Sequence, residues 1–411
     1  MKKSYTFPKN FLWGTATAAH QIEGNNKNSD WWEWEQNKPP ERKWPLEPSL
    51  DGCDSYNRYE EDFDLCKQMN NNAVRFSIEW ARIEPEEGKF DQKEIEHYKK
   101  VLQAAKDRGL KTLVTLHHFT NPNWLTKFGG WVHPKTSKLF ARYAKKCAEE
   151  FGEYVDLFTT FNEPQVYAGM SYVKGIWPPA RHNPFKVVLV QINMIRAHNK
   201  AYKKMREVTK IPIGLVKHIV CPECTDESIL LDRIVARVVL FLGADFFLIG
   251  TKKYLDFIGL NFYFTFRLIK CRIRNLDDRV SDLGWWIYAP GIEKVLVFLK
   301  KYNLPIYITE NGLADAKDKY RPEFIRDHLI ACAKAIDQGV DLKGYFHWSL
   351  LDNYEWAEGY WPRFGLVEID RENNLERKPR KSFHYYSEIC KNYKVSEDDL
   401  TDIKHAQNIQ A

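Results

Sequence analysis

Two glutamates sit where paired-carboxylate chemistry would need them. Glu163 lies in Thr160-Phe161-Asn162-Glu163-Pro164 and Glu310 in Ile308-Thr309-Glu310-Asn311-Gly312. Each ends a short run of β-branched and aromatic residues, the pattern of a strand. Two facing carboxylates can share the cleavage of a glycosidic bond. One protonates the leaving oxygen, and the other attacks or stabilises the oxocarbenium-like carbon. One glutamate at a strand end is as readily an ion-pair partner; the pair is the stronger signal. Other polar and aromatic residues fall at or just past strand ends in the same way. They are Gln21, Glu79, His117, His118, Asn162, Asn261, Tyr263, Asn311 and Trp348, with Asp352 and Glu355 following the last.

The elements that must position these residues alternate along the chain. Strand-like runs occur at Leu12–Ala18, Ala73–Trp80, Lys111–His118, Asp156–Asn162, Pro212–Val220, Asp256–Tyr263, Pro305–Glu310 and Leu342–Leu351. Helical spacing fills Ser55–Met69, Ile95–Arg108, Lys135–Glu150, Phe185–Val208, Ser228–Ile249, Gly291–Tyr302, Pro322–Gln338 and Lys381–Tyr393. The strands are nearly continuous apolar runs, as parallel strands covered by helices are. Strict alternation of eight strands and eight helices predicts an α/β fold, a single (β/α)8 TIM barrel over residues 1–411. No glycine-rich phosphate turn follows the first strand, which argues against an open doubly wound sheet. In a barrel the chemistry sits at the carboxyl ends of the strands. The fourth and seventh strands are expected on opposite sides, with Glu163 and Glu310 facing across the mouth.

Composition narrows the partners. Lys+Arg number 61 against 55 Asp+Glu, a net charge of +6 that is dispersed along the chain. The densest basic run, Arg377-Lys378-Pro379-Arg380-Lys381, reads as a solvated loop rather than a nucleic-acid patch. Aromatics reach 14%, enough to furnish both a core and flat platforms for sugar rings. His218, Cys221 and Cys224 form H-x-x-C-x-x-C, but no fourth ligand follows at zinc spacing, so no metal is expected. The other cysteines are scattered singly. No apolar h-region follows the N-terminal lysines. The most apolar stretch, Val238–Gly250, is interrupted by Asp245 and falls short of a bilayer span, so it reads as a buried barrel helix. These features predict a reduced, cytoplasmic, soluble protein without nucleic-acid or membrane partners.

The ordered motifs resemble glycoside hydrolase family 1, the retaining β-glucosidase and β-galactosidase family, over nearly the whole chain. Phe7-Pro8 with FLWGTATAAHQIEG (Phe11–Gly24) looks like its amino-terminal signature, and RFSIEWARIEP (Arg75–Pro85) like its second-strand segment. TFNEP, ITENG, DFIGLNFY (Asp256–Tyr263) and WSLLDNYEWAEGYWPRFGL (Trp348–Leu366) complete the match. The resemblance implies that Glu163 is the general acid/base and Glu310 the nucleophile, with carboxyl groups ~5–5.5 Å apart. It implies that Asn162 holds the sugar 2-hydroxyl and that Gln21 and His118 bind the 3-hydroxyl side. Trp348 would stack on the glycone, Glu355 and Trp356 would read its 4- and 6-hydroxyls, and Arg75, Asn261 and Tyr263 would support the nucleophile. Arg75 would keep Glu310 ionised, while burial and the Glu310 charge would raise the pKa of Glu163. The family chemistry needs no cofactor. The implied substrates are β-glucosides or short β-linked oligosaccharides, and a homo-oligomer is possible.

Some residues carry a structural alternative. His117 reads as a core imidazole, Asp352 as a loop carboxylate, and Phe364 as either glycone wall or core. A carboxylate at Glu355 would repel a phosphodianion, which favours neutral glucose, galactose or fucose over 6-phosphorylated sugars. A non-catalytic sugar-binding protein is disfavoured because both glutamates are present. Two departures from the family pattern stand out. Phe119, Thr120 and Asn121 replace a Trp and the residues after it on the third strand. The chain is also shorter than many members, with Thr251–Leu255 joining the fifth helix almost directly to the sixth strand. That shortening either thins the cover beside Val238–Ile249, leaving apolar surface for a partner subunit or apolar ligand, or is made good by neighbouring side chains that close over it.

Overall fold

The eight expected runs form the strands of a closed parallel barrel in the computed structural model, which describes residues 3–38, 41–226, 228–273 and 279–398. Residues 1–2 and 399–411, the ends of the single-domain expectation, lie outside the described residues. The strands are β1 (Leu12–Ala16), β2 (Ala73–Ser77), β3 (Lys111–Thr115), β4 (Leu157–Asn162), β5 (Ile213–His218), β6 (Phe257–Asn261), β7 (Ile306–Asn311) and β8 (Leu342–Trp348). They pair in chain order, and β8 closes on β1 with Tyr345 opposite Trp13 and Phe346 opposite Gly14. β4 and β7 are therefore separated by β5 and β6 on one side, not diametrically placed as expected. Their glutamates meet above the end of β6.

The helices follow their apolar periodicity. They are α1 (Ser55–Gln68), α2 (Gln92–Asp107), α3 (Thr136–Phe151), α4 (Pro184–Arg206), α5 (Leu230–Tyr254), α6 (Pro290–Leu299), α7 (Arg321–Asp337) and α8 (Lys381–Asn392). In α2, Asp91 caps the amides of Lys93 and Glu94, and Ile95, Tyr98, Val101, Leu102 and Ala105 bury one face. Gly109, at φ +67°, ends the helix in the left-handed conformation that costs glycine least. A large apolar cluster fills the space around the strands. A smaller one draws Ala73, Leu113, Leu157, Phe257 and Phe346 from five strands into the barrel interior.

Strict alternation holds for the barrel but not for its loops. Thr265–Ile269 pairs with Cys221–Cys224 and with Arg272–Ile273, forming a small sheet from the loops after β5 and β6. Ser4–Thr6 pairs with Lys394–Ser396, which ties the two ends of the described chain together.

Two expectations are corrected. The basic run is not simply solvated, because Arg377 and Arg380 are both buried. Arg377 pairs with Asp62 at 3.1 Å, and Arg380 grips Asp352 through two bonds of 2.9 and 2.7 Å. The second correction is α5, which is not a buried barrel helix. Only 28% of its most apolar window is buried. Ala244, Phe247, Leu248 and Thr251 face the barrel, while Leu231, Ile234, Val238, Leu242 and Ile249 face outward. Asp245 does not break the helix, since Lys301 and Tyr302 bind its carboxylate. Of the two alternatives for the cover beside Val238–Ile249, the uncovered apolar surface is the one present.

Candidate active site

Irregularities at the strand ends aim the two glutamates. The β4–β5 register shifts between Thr159 and Asn162, and the β6–β7 register shifts between Ile308 and Glu310. Such shifts re-aim side chains at a barrel rim. Glu163 follows at φ +42°, an unfavourable conformation for a residue with a Cβ, and the short helix Pro164–Gly169 starts immediately after it. Glu163, Glu310, Gln21, His118, Asn162, Tyr263, Trp348, Glu355 and Trp356 all line one cavity of about 420 Å³. Arg75 and Asn261 complete the predicted set from behind its wall, both fully buried.

A continuous chain of hydrogen bonds joins the glutamates. Asn261 donates to Glu163 Oε1 at 2.6 Å and to Asn162 Oδ1 at 3.1 Å. Thr309 fixes the orientation of that amide by donating to Asn261 Oδ1 at 2.7 Å. Arg75 donates from Nη2 to Asn162 Oδ1 at 2.7 Å, and its Nη1 contacts both Glu310 Oε1 and the Thr309 carbonyl. Tyr263 donates to Glu310 Oε2 at 2.5 Å. Asn162 in turn meets His118 Nε2 through its amide nitrogen at 3.2 Å.

The electrostatics are those of a dry, acid-rich pocket. Burial pushes the Glu163 carboxyl up to about 7, against the lowering pull of the Asn261 hydrogen bond, Arg75 and Lys217. Burial also pushes Glu310 up to about 7; Arg75 opposes the rise and the Glu163 charge adds to it. Arg75 thus acts in the expected direction, but burial outweighs it. The Glu163 and Glu310 carboxylates repel one another, and their charges also reach Glu355. Glu355 rises to about 8 through burial and then the charges of Glu310 and Glu163. Burial, followed by Arg75, holds His118 well below the usual imidazole range, so the ring is neutral.

Beyond His118 the lining is aromatic. His118 lies nearly parallel to Trp348, with 16° between the rings, and to Trp356, with 15°. Gln21 is held by the Tyr354 carbonyl at 2.8 Å and by Asn353 at 3.1 Å. Gln21 Oε1, His118 Nδ1 and Glu355 Oε2 are buried polar atoms without a protein partner. Buried polar groups are normally hydrogen-bonded, so these atoms are suited to a hydroxyl-rich ligand.

The residues with structural alternatives separate cleanly. His117 is enclosed by Trp131 and Phe161 and meets Asn121 at 3.1 Å, so it belongs to the core. Asp352 is the loop carboxylate held by Arg380 and by the Gly365 amide. Phe364 lines the cavity and packs on Tyr263 and Trp285. In the departing third-strand segment, Thr120 binds Glu79, Asn121 binds Asp30, and Phe119 packs on Trp177 and Trp356. His218 lines the cavity against Tyr263 and Phe264, and neither Cys221 nor Cys224 is in a disulfide. Among the described residues no group of three His, Cys, Asp or Glu is placed to hold a metal ion.

Several residues at the site were not singled out from sequence. Trp177, Phe264 and Trp285 complete the aromatic rim. Lys217, on β5 behind Glu163, is fully buried, donates to Gln165 and lies 4.9 Å from the Phe247 ring. Burial lowers its pKa to about 7 while Glu163 opposes the drop. A lysine inside an otherwise apolar strand was the available signal.

Comparison with known proteins agrees with this geometry. The Glycosyl hydrolase family 1 model matches residues 3–233 and 233–395. A β-galactosidase from Pyrococcus woesei is 32% identical over 95% of this chain and 98% of its own length. β-Glucosidase A from Thermotoga maritima is 33% identical over 94% of this chain and 98% of its own. Among solved structures, a β-glycosidase from Pyrococcus horikoshii superposes with a TM-score of 0.89 at 38% identity, covering 98% of each chain. A T. maritima β-glucosidase in complex with glucoimidazole gives 0.86 at 32% identity, covering 94% of this chain and 99% of that one. With its barrel, its two glutamates and these relatives in agreement, the chain belongs to glycosyl hydrolase family 1 and is a hydrolase of β-glycosides.

Proposed function

We propose that the protein is a retaining exo-β-glycosidase that removes a terminal β-D-glucosyl residue, and also galactosyl or fucosyl, by double displacement. The unequal partnering of the two buried glutamates carries this reading. Glu310 has a cation and a phenol on its oxygens, whereas Glu163 has one neutral amide donor. A buried pair that shares one proton therefore keeps it on Glu163.

In the first step Glu310 attacks the anomeric carbon while Glu163 gives its proton to the glycosidic oxygen. The carbon–oxygen bond to the aglycone breaks and a glycosyl ester forms on Glu310. The Glu310 charge is consumed, so the Glu163 pKa falls and its carboxylate can accept a proton from water. The water oxygen attacks the same carbon, the ester bond breaks, and the β-sugar leaves. Asn162, oriented by Arg75, is the partner for the 2-hydroxyl. Gln21, His118 and Glu355 offer their unpartnered atoms to the remaining hydroxyls, and Trp348 supplies the platform. A 6-phosphate would add charge beside three carboxyl groups, so neutral sugars are favoured. Eight cysteines, none in a disulfide and most of them buried, suit the reducing cytoplasm this reading assigns to the enzyme.

The test is proton NMR of early product from p-nitrophenyl β-glucoside, β-galactoside, β-fucoside and 6-phospho-β-glucoside. β-Anomer released first from neutral sugars supports the reading. α-Anomer first refutes double displacement, and turnover of the phosphorylated sugar alone refutes the assigned substrate class.

A further inference from the structure

The outward face of α5 is an apolar stripe set in a basic surround. Leu231, Ile234, Val238, Leu242 and Ile249 are each 45–58% exposed, and their three-, four- and seven-residue spacings put them on one side of the helix. The stripe continues beyond the start of α5. Buried Asp232 accepts hydrogen bonds from the amides of Lys270 and Cys271, at 3.0 and 2.6 Å, which draws a hairpin tip against the helix. That tip carries Ile273, 68% exposed. The helix cannot span a bilayer, since Ala244, Phe247 and Leu248 commit its other face to the barrel.

Charge identifies the occupant. Arg233 and Arg237 on the helix, Lys252 and Lys253 at its end, and Lys270 and Arg272 on the hairpin are all exposed. The two acids between Ser228 and Tyr254 are already engaged, Asp232 by the hairpin amides and Asp245 by Lys301 and Tyr302. A second copy docking by the same face would set these six cations against one another, with Asp226, just before the helix, the one exposed acid among the described residues of this segment. An anionic bilayer surface matches both features, because acyl chains receive the stripe and headgroups receive the cations.

We propose that α5 and the Lys270–Ile273 tip dock the protein onto the surface of an anionic lipid bilayer, the helix lying in the headgroup region. The sequence-based expectation of no membrane partner weighed a spanning segment, whereas this contact is interfacial. It is independent of the proposed catalytic reading.

Flotation of the full-length protein with vesicles tests it, using phosphatidylglycerol–phosphatidylcholine and phosphatidylcholine alone, at low salt and at high salt. The protein should float with the anionic vesicles at low salt and at least tenfold less with the neutral ones. High salt, Leu231→Glu/Leu242→Glu, and Arg233→Glu/Arg237→Glu should each cut the bound fraction by a similar factor. Circular dichroism identical to the parent confirms that each variant is folded. Failure to float with anionic vesicles, equal flotation with both lipids, or undiminished flotation of both folded variants overturns the proposal. Light scattering that shows a dimer split by Leu231→Glu/Leu242→Glu, without vesicle binding, assigns the face to a second copy and also overturns it.

Discussion

The Asn261 amide donates a 2.6 Å hydrogen bond to Oε1 of Glu163. Through its second contact, at 3.1 Å to Asn162, it ties the proposed acid to the residue that Arg75 orients. Glu163 and Glu310 are thus parts of one network with an uneven distribution of positive charge. Burial raises both carboxyls, but Glu310 has the guanidinium. In the proposed mechanism the pair holds its negative charge there and its proton on Glu163.

The pH dependence follows from that arrangement. Both carboxyls are pushed up to about 7, so they titrate as a coupled pair with one apparent pKa below the other. Lowering pH through the first protonates Glu310 and removes the proposed nucleophile. Raising pH through the second takes the proton from Glu163 and removes the proposed acid. A plot of kcat/KM against pH should therefore be a bell with its maximum near neutrality. Glu163→Gln should lose the alkaline limb, and retention of that limb would assign it to another group.

Leaving-group chemistry separates the two glutamates. An acid matters most when the departing alkoxide is basic, and its loss typically costs ~10²–10⁴ in rate. Glu163→Ala should fall within that range on an alkyl β-glucoside and lose much less on a dinitrophenyl β-glucoside. Glu310→Gln should lose turnover of both to the limit of detection. Equal losses on both substrates for Glu163→Ala would show that Glu163 is not the acid. Steady-state assays of the two variants on the two substrates decide this.

Much of the site was legible because a barrel collects strand ends. Glu163, Glu310, His118 and Trp348 each stand at or just past a strand end and converge without any knowledge of loops. What escaped were interactions between distant segments. Arg380 and Arg377 read as solvated because their partners, Asp352 and Asp62, lie on other elements. Lys217 read as strand because periodicity carries no information about the helix layer that buries it. Helix α5 was misread for a related reason. Asp245 looked like an interruption, and its partners Lys301 and Tyr302 follow α6. Sequence also showed apolarity without showing whether a neighbouring layer covers it.

Arg75 supports both stability and chemistry. It is fully buried, and removing one partner of a buried ion pair costs ~3–5 kcal/mol. Arg75→Met should lower stability to chemical denaturant by that order. In any folded fraction it should also raise the Glu310 pKa and move the acidic limb of the pH profile upward. Arg75→Lys keeps the charge but lacks the planar fork that reaches Glu310 and Asn162 together. It should retain more stability than Arg75→Met while still losing kcat. An acidic limb unmoved in Arg75→Met would separate Arg75 from the nucleophile.

Glu355 tests how the glycone is read. Its Oε2 is buried without a partner, and hydrogen bonds involving charged groups are worth ~1.5–3 kcal/mol. Glu355→Ala should reduce kcat/KM for the β-glucoside by ~10- to 100-fold, that energy expressed as a rate ratio. The loss should shrink for a β-xyloside, which lacks the 6-hydroxymethyl group. An equal loss on the xyloside would limit the role of Glu355 to the 4-hydroxyl or to the pocket's electrostatics.

Gly312 lies at the close approach between the Glu310 strand and Trp348, the proposed sugar platform. A Cβ built there would stand 1.7 Å from the Trp348 carbonyl oxygen and 2.7 Å from its carbonyl carbon. Both are backbone atoms, so no rotamer change relieves the clash and β7 and β8 must separate. Overpacking a close-packed interior costs ~1–3 kcal/mol, occasionally more, and a backbone clash this short belongs at the upper end. Gly312→Ala should therefore lower Tm and, in the folded enzyme, raise KM by displacing Trp348 from His118. Gly169 is the control, since a Cβ there meets nothing within 4 Å. Gly169→Ala should leave KM unchanged and Tm equal or slightly higher, because it restricts the unfolded chain. A Gly312→Ala enzyme with parental Tm and KM would show that this close approach sets neither the fold nor the position of the platform.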